Sequence, residues 1–339
     1  MEKDLRDLLE RAERTFGGRS IEATVPRARA IVGPERFAID LAGNADLVGA
    51  ADSALEMLRG QRSGTPTVAQ FKALQIMIRL ARPSIYSRDG ALEPYPRTPG
   101  SNQQDTAADP DGRRQRWDVF RGKAQPLLYS VGRIDLGDRP FGTGFVIGPG
   151  LVLTNRHVLE ALSFDTYRLE PGQATIDFGA EDGTVGHELP VPIEGVVGWH
   201  EELDLALLRT PAESHRTPFV FGTGSVADGD WVVALGYPMR DPSNSPEMMD
   251  QLFEGRYEIK RAAPGEVVGT RSDRLYHDCS TLGGNSGSPL VSLDTAEVVG
   301  VHSNGFFTWR NEGVAANAAQ AFVASHSGGQ QQVVGGLGP

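Results

Sequence analysis

With 339 residues and no run of roughly 18 apolar residues, the chain is long enough for two or three hydrophobic cores and excludes a helical membrane span. Its single cysteine, Cys279, excludes an internal disulfide, and together with a charged N-terminus that lacks a signal-peptide pattern it predicts a cytoplasmic protein. The net charge of −11 comes from residues 83–339, where 33 acidic side chains outnumber 20 basic ones, and this balance argues against nucleic-acid binding.

Residues 1–82 are predicted to form a small all-helical domain. Leu5, Leu8, Leu9, Ala12 and Phe16 recur at helical spacing, and Gly17-Gly18 then ends the first helix. Further helices are predicted near residues 25–32 and 34–43. A fourth is capped by Asn44 or Asp46 and has apolar residues from Leu47 to Leu58 facing in, and a fifth starts at residues 65–67 and ends at Arg82. The block contains no His, no Cys and no phosphate-binding loop, so we expect it to bind a protein partner. The alternative is a lid or folding module that contacts only the rest of its own chain.

Residues 83–126 are rich in Pro, Gly, Asp, Gln and Ser, a composition that predicts a flexible linker. A basic cluster surrounds Trp117 near the end of this segment. We interpret the cluster as a solvated part of the linker, with a contact patch as the alternative.

From residue 127 to residue 326 short apolar stretches alternate with Gly, Pro and Asp turns, which predicts an all-β region built as a double barrel. A short helix is expected at residues 317–325, and residues 327–339 are expected to be a disordered tail. The predicted strands are residues 127–131, 144–147, 151–154, 174–178, 191–197, 205–209, 231–237, 266–270, 288–293 and 298–303.

Three motifs in this β region occur in the order His, Asp, Ser. His157 follows an apolar hairpin, Asp204 opens the stretch Leu-Ala-Leu-Leu, and Ser286 lies within Gly-Gly-Asn-Ser-Gly. A serine hydroxyl is a poor nucleophile without an adjacent base, histidine suits that role near neutral pH, and a carboxylate can orient the imidazole. We therefore predict Ser286 as nucleophile, His157 as general base and Asp204 as orienting residue. The backbone N–H groups of Gly284 and Ser286 are predicted to form the oxyanion hole.

Each motif alone also fits an ordinary turn or strand end, and the prediction depends on all three. The nucleophile elbow of α/β-hydrolases is excluded because the Gly-x-Ser-x-Gly pattern is broken by Ser288 and the order of the three residues is reversed. Asp177 and Asp230 are the nearest alternatives to Asp204, but no Leu-Ala-Leu-Leu strand follows either of them. The remaining histidines lack metal-ligand spacing, so neither a metal nor a cofactor is expected.

The motifs at residues 280–289 and 298–305 resemble those of trypsin-like serine proteases, and within that superfamily the bacterial glutamyl endopeptidases. The resemblance spans residues 127–325 and implies a two-barrel fold and a protein substrate. It further implies that Thr281 and His302 line the S1 pocket and bind a P1 glutamate, and that Ser303 to Gly305 pair with the substrate backbone. Secreted members of that branch also use a new N-terminal amine in the pocket, and no such amine is evident here.

Residues 1–82 resemble, in architecture, the effector-associated domains fused to proteases of bacterial conflict systems. The resemblances together predict a multidomain α plus all-β protein that acts as a trypsin-like serine endopeptidase. We expect it to be gated by a protein partner of the helical domain, with antiviral defence as its setting. An inert protease-fold scaffold is the alternative function. An HtrA-type quality-control protease is disfavoured because those enzymes carry C-terminal PDZ domains and about 14 residues follow Ser325.

Overall fold

The computed structural model describes residues 2–17, 21, 47–96, 112–183, 189–241, 249, 252–306 and 310–327. The helices predicted at residues 25–32 and 34–43, the centre of the predicted linker and the tail from residue 328 lie outside the described residues. The described part consists of an N-terminal helical bundle, two β-barrels and a C-terminal helix, so the predicted fold class is confirmed.

The helical bundle contains α1 (Glu2–Phe16), α2 (Leu47–Leu58) and α3 (Val68–Leu80). A capping box begins α3: Thr67 Oγ1 accepts from the N–H of Gln70 at 3.3 Å, and Gln70 Oε1 accepts from the N–H of Thr67 at 2.9 Å. The three helices share one apolar core, which shows that this block has its own hydrophobic interior. Its buried members include Leu8, Ala12, Phe16, Leu47, Ala51, Leu55, Leu74 and Met77.

The prediction of a flexible linker over residues 83–126 is wrong for two described parts of that segment. Strands β1 (Ile85–Arg88) and β2 (Ala91–Leu92) form a hairpin, and β1 pairs with a strand of the second barrel. Helix α4 (Arg113–Leu128) buries Trp117, Phe120, Ala124 and Leu128, a spacing that puts all four on one face. Basic side chains lie between these apolar positions, so the segment is interpreted as a solvated linker and its helical spacing is missed.

The first barrel has the strand order β7-β6-β3-β4-β5-β9-β8. Predicted strands 151–154 and 205–209 have the observed bounds, whereas the strand predicted at 127–131 is wrong because α4 continues to Leu128. Helix α5 follows β5 directly and spans Arg156–Leu162. The strands are β3 (Val131–Leu136), β4 (Arg139–Gly148), β5 (Leu151–Thr154), β6 (Thr175–Asp177), β7 (Val191–Pro192), β8 (Gly195–His200) and β9 (Leu205–Arg209).

The second barrel closes on itself, because β10 pairs with both β13 and β11 at the two ends of the order β10-β13-β14-β15-β12-β11. Closure removes free sheet edges. The C-terminal helix α6 (Ala316–Ser327) follows β15, close to the predicted position. The strands are β10 (Trp231–Gly236), β11 (Arg261–Arg271), β12 (Arg274–His277), β13 (Pro289–Ser292), β14 (Val298–Phe306) and β15 (Arg310–Ala315).

Buried ion pairs join the helical bundle to the second barrel. Arg82, just after α3, lies 3.0 Å from both Glu266 and Asp278, and all three side chains are fully buried. From α1, Arg11 contacts Asp278 at 3.0 Å and Arg14 contacts Glu266 at 2.8 Å. Burial alone raises the pKa of Asp278, but the charges of Arg82 and Arg11 outweigh it and hold this pKa below its ordinary value. The bundle is therefore fixed to the protein's own second barrel by charge as well as by packing.

Candidate active site

His157 lies in the first turn of α5, three residues after the end of β5. Asn155 occupies the N-cap position of α5, where its extended backbone turns the chain from strand to helix. The neighbouring Val158 and Leu159 are buried and anchor the helix in the first barrel, whereas the side chain of His157 is 41% exposed. The imidazole is thus held by a rigid element and remains accessible.

Asp204 immediately precedes β9 and contacts His157 through both carboxylate oxygens. Its Oδ1 accepts from the backbone N–H of His157 at 3.0 Å, and its Oδ2 lies 2.8 Å from His157 Nδ1. The carbonyl oxygen of Asp204 accepts from Asn155 Nδ2 at 2.9 Å. Because a carboxylate only accepts, Nδ1 carries a proton, and in the neutral imidazole Nε2 is then the acceptor. A general base needs this tautomer.

The two alternative aspartates occupy local turns. Asp177 Oδ1 accepts from the N–H of Gly179, and Asp230 Oδ2 accepts from the N–H of Ala227, both at 2.8 Å. Neither is among the residues that line the cavity described below. The choice of Asp204 over these two residues therefore agrees with the geometry.

The loop that carries Ser286 depends on glycines at two positions. Gly284 and Gly287 have φ of +85° and +86°, a conformation that L side chains rarely adopt. A Cβ on Gly284 would lie 2.3 Å from the carbonyl oxygen of Tyr237, and one on Gly287 would lie 2.1 Å from that of Thr143. The carbonyl of Ser286 accepts from the N–H of Thr143 at 2.8 Å, which attaches the loop to the first barrel.

The peptide between Gly283 and Gly284 has a defined orientation. The carbonyl oxygen of Gly283 accepts from the N–H of Met239 at 2.7 Å. In a planar trans peptide the C=O and N–H bonds point in opposite directions, so the N–H of Gly284 points away from Met239. Within the described residues, neither this N–H nor that of Ser286 donates a backbone hydrogen bond. Both donors are therefore free to bind an anionic oxygen.

A cavity of about 560 Å³ brings the predicted residues together. All of them except Gly284 line it, and Gly284 is buried beside Gly283 in the same loop. The sequence assigned no role to three other lining residues, Asp241, Leu282 and Asn311, and no motif marks Asp241 or Asn311. The cavity is lined by His157, Asp204, Asp241, Thr281, Leu282, Gly283, Ser286, His302, Ser303, Asn304, Gly305 and Asn311.

His302 and His277 form a buried imidazole pair at one wall of the cavity. Their Nδ1 and Nε2 atoms, respectively, lie 3.0 Å apart, and His277 Nδ1 has no partner within the described residues. Burial lowers the pKa of both rings, and the charges of His157 and Arg79 contribute to a pKa of about 3 for His302. A buried N–H without an acceptor is rarer than a buried acceptor without a donor, so we place no proton on His277 Nδ1. The proton of neutral His277 is then on Nε2, which donates to His302 Nδ1. The remaining proton of neutral His302 is then on Nε2.

Cys279 is buried, and burial raises the pKa of its thiol. Within the ranges that the structure describes, no three His, Cys, Asp or Glu side chains are grouped to hold a metal ion. None of the described helices combines the length and the apolar character needed to span a bilayer.

Comparisons with known proteins identify the same part of the chain. Residues 142–301 match the family model of the trypsin-like peptidase domain. The chain is 30% identical over 219 residues to serine protease HTRA2, mitochondrial, of Drosophila willistoni, which covers 58% of this chain and 44% of that protein. The protein of the same name from Drosophila virilis is 31% identical over 166 residues, or 48% of this chain and 34% of that protein. The chain thus spans less than half the length of these curated relatives.

A solved structure, Rv3671c from M. tuberculosis H37Rv in an inactive form, matches 63% of this chain and 93% of that chain at 22% identity with a TM-score of 0.43. The family match and the two barrels define the domain as a trypsin-like peptidase domain. Residues 142–301 are therefore similar to trypsin-like peptidase domains, and the curated relatives are serine proteases. The curated relatives are named as HtrA-type proteases, and the chain spans less than half of their length. The expectation that disfavours the HtrA type and the expectation of the glutamyl endopeptidase branch both stay predictions.

Proposed function

We propose that this protein is a serine endopeptidase with Ser286 as nucleophile, His157 as general base and Asp204 as orienting carboxylate. The observation that carries the proposal is the two-point contact between Asp204 and His157 on a cavity that Ser286 also lines. The family match supports it independently.

The arrangement supports acyl transfer in two steps. Ser286 Oγ attacks the substrate carbonyl carbon while His157 Nε2 takes the hydroxyl proton, and the carbonyl oxygen becomes an anion. The N–H groups of Gly284 and Ser286 stabilise this anion, and Asp204 stabilises the imidazolium. His157 then gives the proton to the leaving amine as the C–N bond breaks. A water molecule, deprotonated by the same imidazole, then attacks the acyl carbon. The bond from this carbon to Ser286 Oγ breaks, Ser286 takes the proton back from His157, and the acid product leaves.

Backbone recognition is proposed for Ser303 to Gly305 of β14. Asn304 and Gly305 are exposed and pair with Glu312 and Asn311 of β15, whereas β13 pairs with β14 no further along than Val301. Within the described residues, no strand pairs with the opposite edge of this segment, although the N–H of Gly305 donates to Asn304 Oδ1 at 2.8 Å. An extended substrate can add to this edge as a strand.

A preference for glutamate at P1 is the finer part of the proposal. The Thr281 hydroxyl and the Nε2–H of neutral His302 are both donors on the cavity wall and suit a carboxylate acceptor. The test is cleavage of peptides that differ only in Glu, Gln or Arg at P1. A clear preference for Glu is expected, and faster cleavage after Arg would contradict it.

Activity itself is tested by cleavage of a peptide library with three forms of the full chain. Wild type and Ser288→Ala are expected to cut, because Ser288 Oγ is buried without a hydrogen-bond partner in the described structure. Ser286→Ala is expected to lose activity by several orders of magnitude. Cutting by Ser286→Ala at the wild-type rate would contradict the role of Ser286, and the absence of cutting by folded wild type would favour the inert scaffold.

We also propose that the helical bundle regulates the protease. The bundle binds the segment just before Thr281: Arg82 and Arg11 contact Asp278, and Ser280 Oγ donates to the carbonyl of Arg82 at 2.8 Å. These contacts favour a module that acts on its own protease. Recruitment of a protein partner in a bacterial defence system, and a cytoplasmic location, remain predictions from the sequence.

Asp278→Asn is the sharper test of regulation, because truncation at residue 127 would remove β1 and most of α4 from the core. The substitution retains the shape of the side chain and removes its charge. We expect a lower kcat/KM on an optimal peptide. An unchanged kcat/KM in a folded Asp278→Asn variant would count against control by the bundle.

A further inference from the structure

One side chain of the helical bundle reaches the wall of the proposed S1 pocket. Arg79, in the last turn of α3, is 4% exposed, and its Nη2 donates to Asn311 Oδ1 at 3.0 Å. Asn311 lies on β15 and lines the cavity. Its Nδ2 donates to the carbonyl of Cys279 at 2.7 Å, which fixes the orientation of the amide. A single neutral amide therefore separates this guanidinium from the cavity.

The charge of Arg79 affects the pKa of the two histidines at this wall of the cavity. It is among the causes, after burial, that lower the pKa of His302 and of His277. Burial lowers the pKa of Arg79 itself to about 10, so the guanidinium is still cationic near pH 7. Both imidazoles are neutral at that pH, and they contribute donors but no charge.

Asp278 is the carboxylate that most raises the pKa of Arg79, and it also contacts other arginines. Asp278 is contacted at 3.0 Å by both Arg82 and Arg11. At the cavity itself, Asp204 is engaged with His157, and Asp241 is the other lining carboxylate. Because Asp278 is shared among arginines, its charge does not by itself cancel that of Arg79. The side of Asn311 that points away from the cavity therefore contacts a cationic guanidinium.

We propose that Arg79 determines specificity by supplying, from behind Asn311, the positive charge that favours an acidic P1 side chain. This inference rests on the proposed protease function. Arg79 acts through Asn311 and the field in the pocket and does not touch the substrate, so it is a positioning residue. The specificity pocket is then complete only when the helical bundle is docked on the second barrel.

The test uses full-length Ser286→Ala protein and labelled peptides that span the scissile bond and carry Glu or Gln at P1. Binding is measured at neutral pH by fluorescence anisotropy in four forms: Ser286→Ala alone, and with Arg79→Met, Arg79→Lys or Arg62→Met. Arg62 is an exposed bundle arginine paired with Glu56 and serves as the matched control. Across about 10 Å at an effective dielectric constant of about 20, one charge changes affinity by about tenfold or more.

We expect Arg79→Met to weaken binding of the Glu peptide about tenfold and to leave the Gln peptide unchanged. Arg79→Lys should retain most of the Glu preference, and Arg62→Met should retain all of it. An equal loss for both peptides would assign Arg79 a purely structural role and overturn the inference. No change in the Glu-to-Gln ratio would overturn it as well.

Asn311→Asp keeps the inference testable if Arg79→Met does not fold. This variant retains Arg79 and places a carboxylate beside it, so we expect the Glu preference to disappear while the bundle stays docked. A retained preference would contradict the inference. The two proposals can fail separately. If the wild-type protein cleaves no peptide but binds the Glu peptide with a preference that Arg79→Met abolishes, the protease function is refuted and the role of Arg79 is supported.

Discussion

The buried ion pairs between bundle and barrel make a quantitative prediction for Arg82→Met. The substitution keeps an unbranched apolar stem and removes a guanidinium that lies 3.0 Å from both Glu266 and Asp278. Removing one partner of a buried ion pair costs about 3–5 kcal/mol, because the other charge is left without compensation. Here Arg11 still contacts Asp278 and Arg14 still contacts Glu266, so we expect a loss near the lower end, about 3 kcal/mol.

Urea unfolding followed by tryptophan fluorescence and circular dichroism measures this loss. Trp231 is a useful reporter, since the guanidinium carbon of Arg82 lies 4.6 Å from its ring centre. The control is Arg62→Met, whose partner Glu56 lies 3.8 Å away with both side chains about half exposed, and we expect it to stay within about 0.5 kcal/mol of wild type.

The pH dependence of this loss has a defined sign. The pKa of Asp278 is lower in the folded than in the unfolded chain, so its contribution is fully present above the unfolded value of about 4. It is lost as pH falls toward the lower folded value. The difference between wild type and Arg82→Met should therefore be constant from about pH 5 to 8 and should shrink below about pH 4. An Arg82→Met midpoint equal to that of the Arg62→Met control would refute the reasoning.

Three further predictions concern the active site. Asp204→Asn should leave the fold intact and lower kcat by about 10⁴, because an amide no longer selects the tautomer in which His157 Nε2 accepts; a loss under tenfold in steady-state kinetics would contradict this. Gly284→Ala should lower kcat by about 100-fold or more, since its Cβ would meet the Tyr237 carbonyl and displace an oxyanion donor; wild-type kcat would be inconsistent with the assigned hole. Cys279 should resist iodoacetamide in the folded chain and react in urea, because burial raises the pKa of its thiol; rapid alkylation of native protein, seen by mass spectrometry, would disagree.

The residues that local sequence patterns predict are those whose role is visible within a few positions. His157 follows a strand that ends at Thr154, and Asp204 opens the strand β9, so both are marked by the apolar runs beside them. The loop around Ser286 is marked by glycines that a positive φ requires. These features arise from backbone geometry, which the local sequence records.

Other features depend on contacts between distant parts of the chain. Arg79 and Asn311 form a hydrogen bond although they are 232 residues apart in the sequence, and no local pattern marks either residue. Helix α4 was missed because its buried face is defined by Trp117, Phe120 and Ala124 among basic residues in a segment that Pro and Gly precede. The β1 hairpin is fixed by pairing with β11, a long-range contact that composition does not record.

The measurement that tests the central claim most directly is labelling of the full-length protein with a fluorophosphonate probe, read by intact mass and peptide mapping. Such a probe reacts with an activated serine and leaves ordinary serines unmodified. The geometry of Asp204, His157 and Gly284 predicts one label, on Ser286, in wild type and in Ser288→Ala, and none in Ser286→Ala. An unlabelled wild-type protein, or a label that persists in Ser286→Ala, would contradict the account.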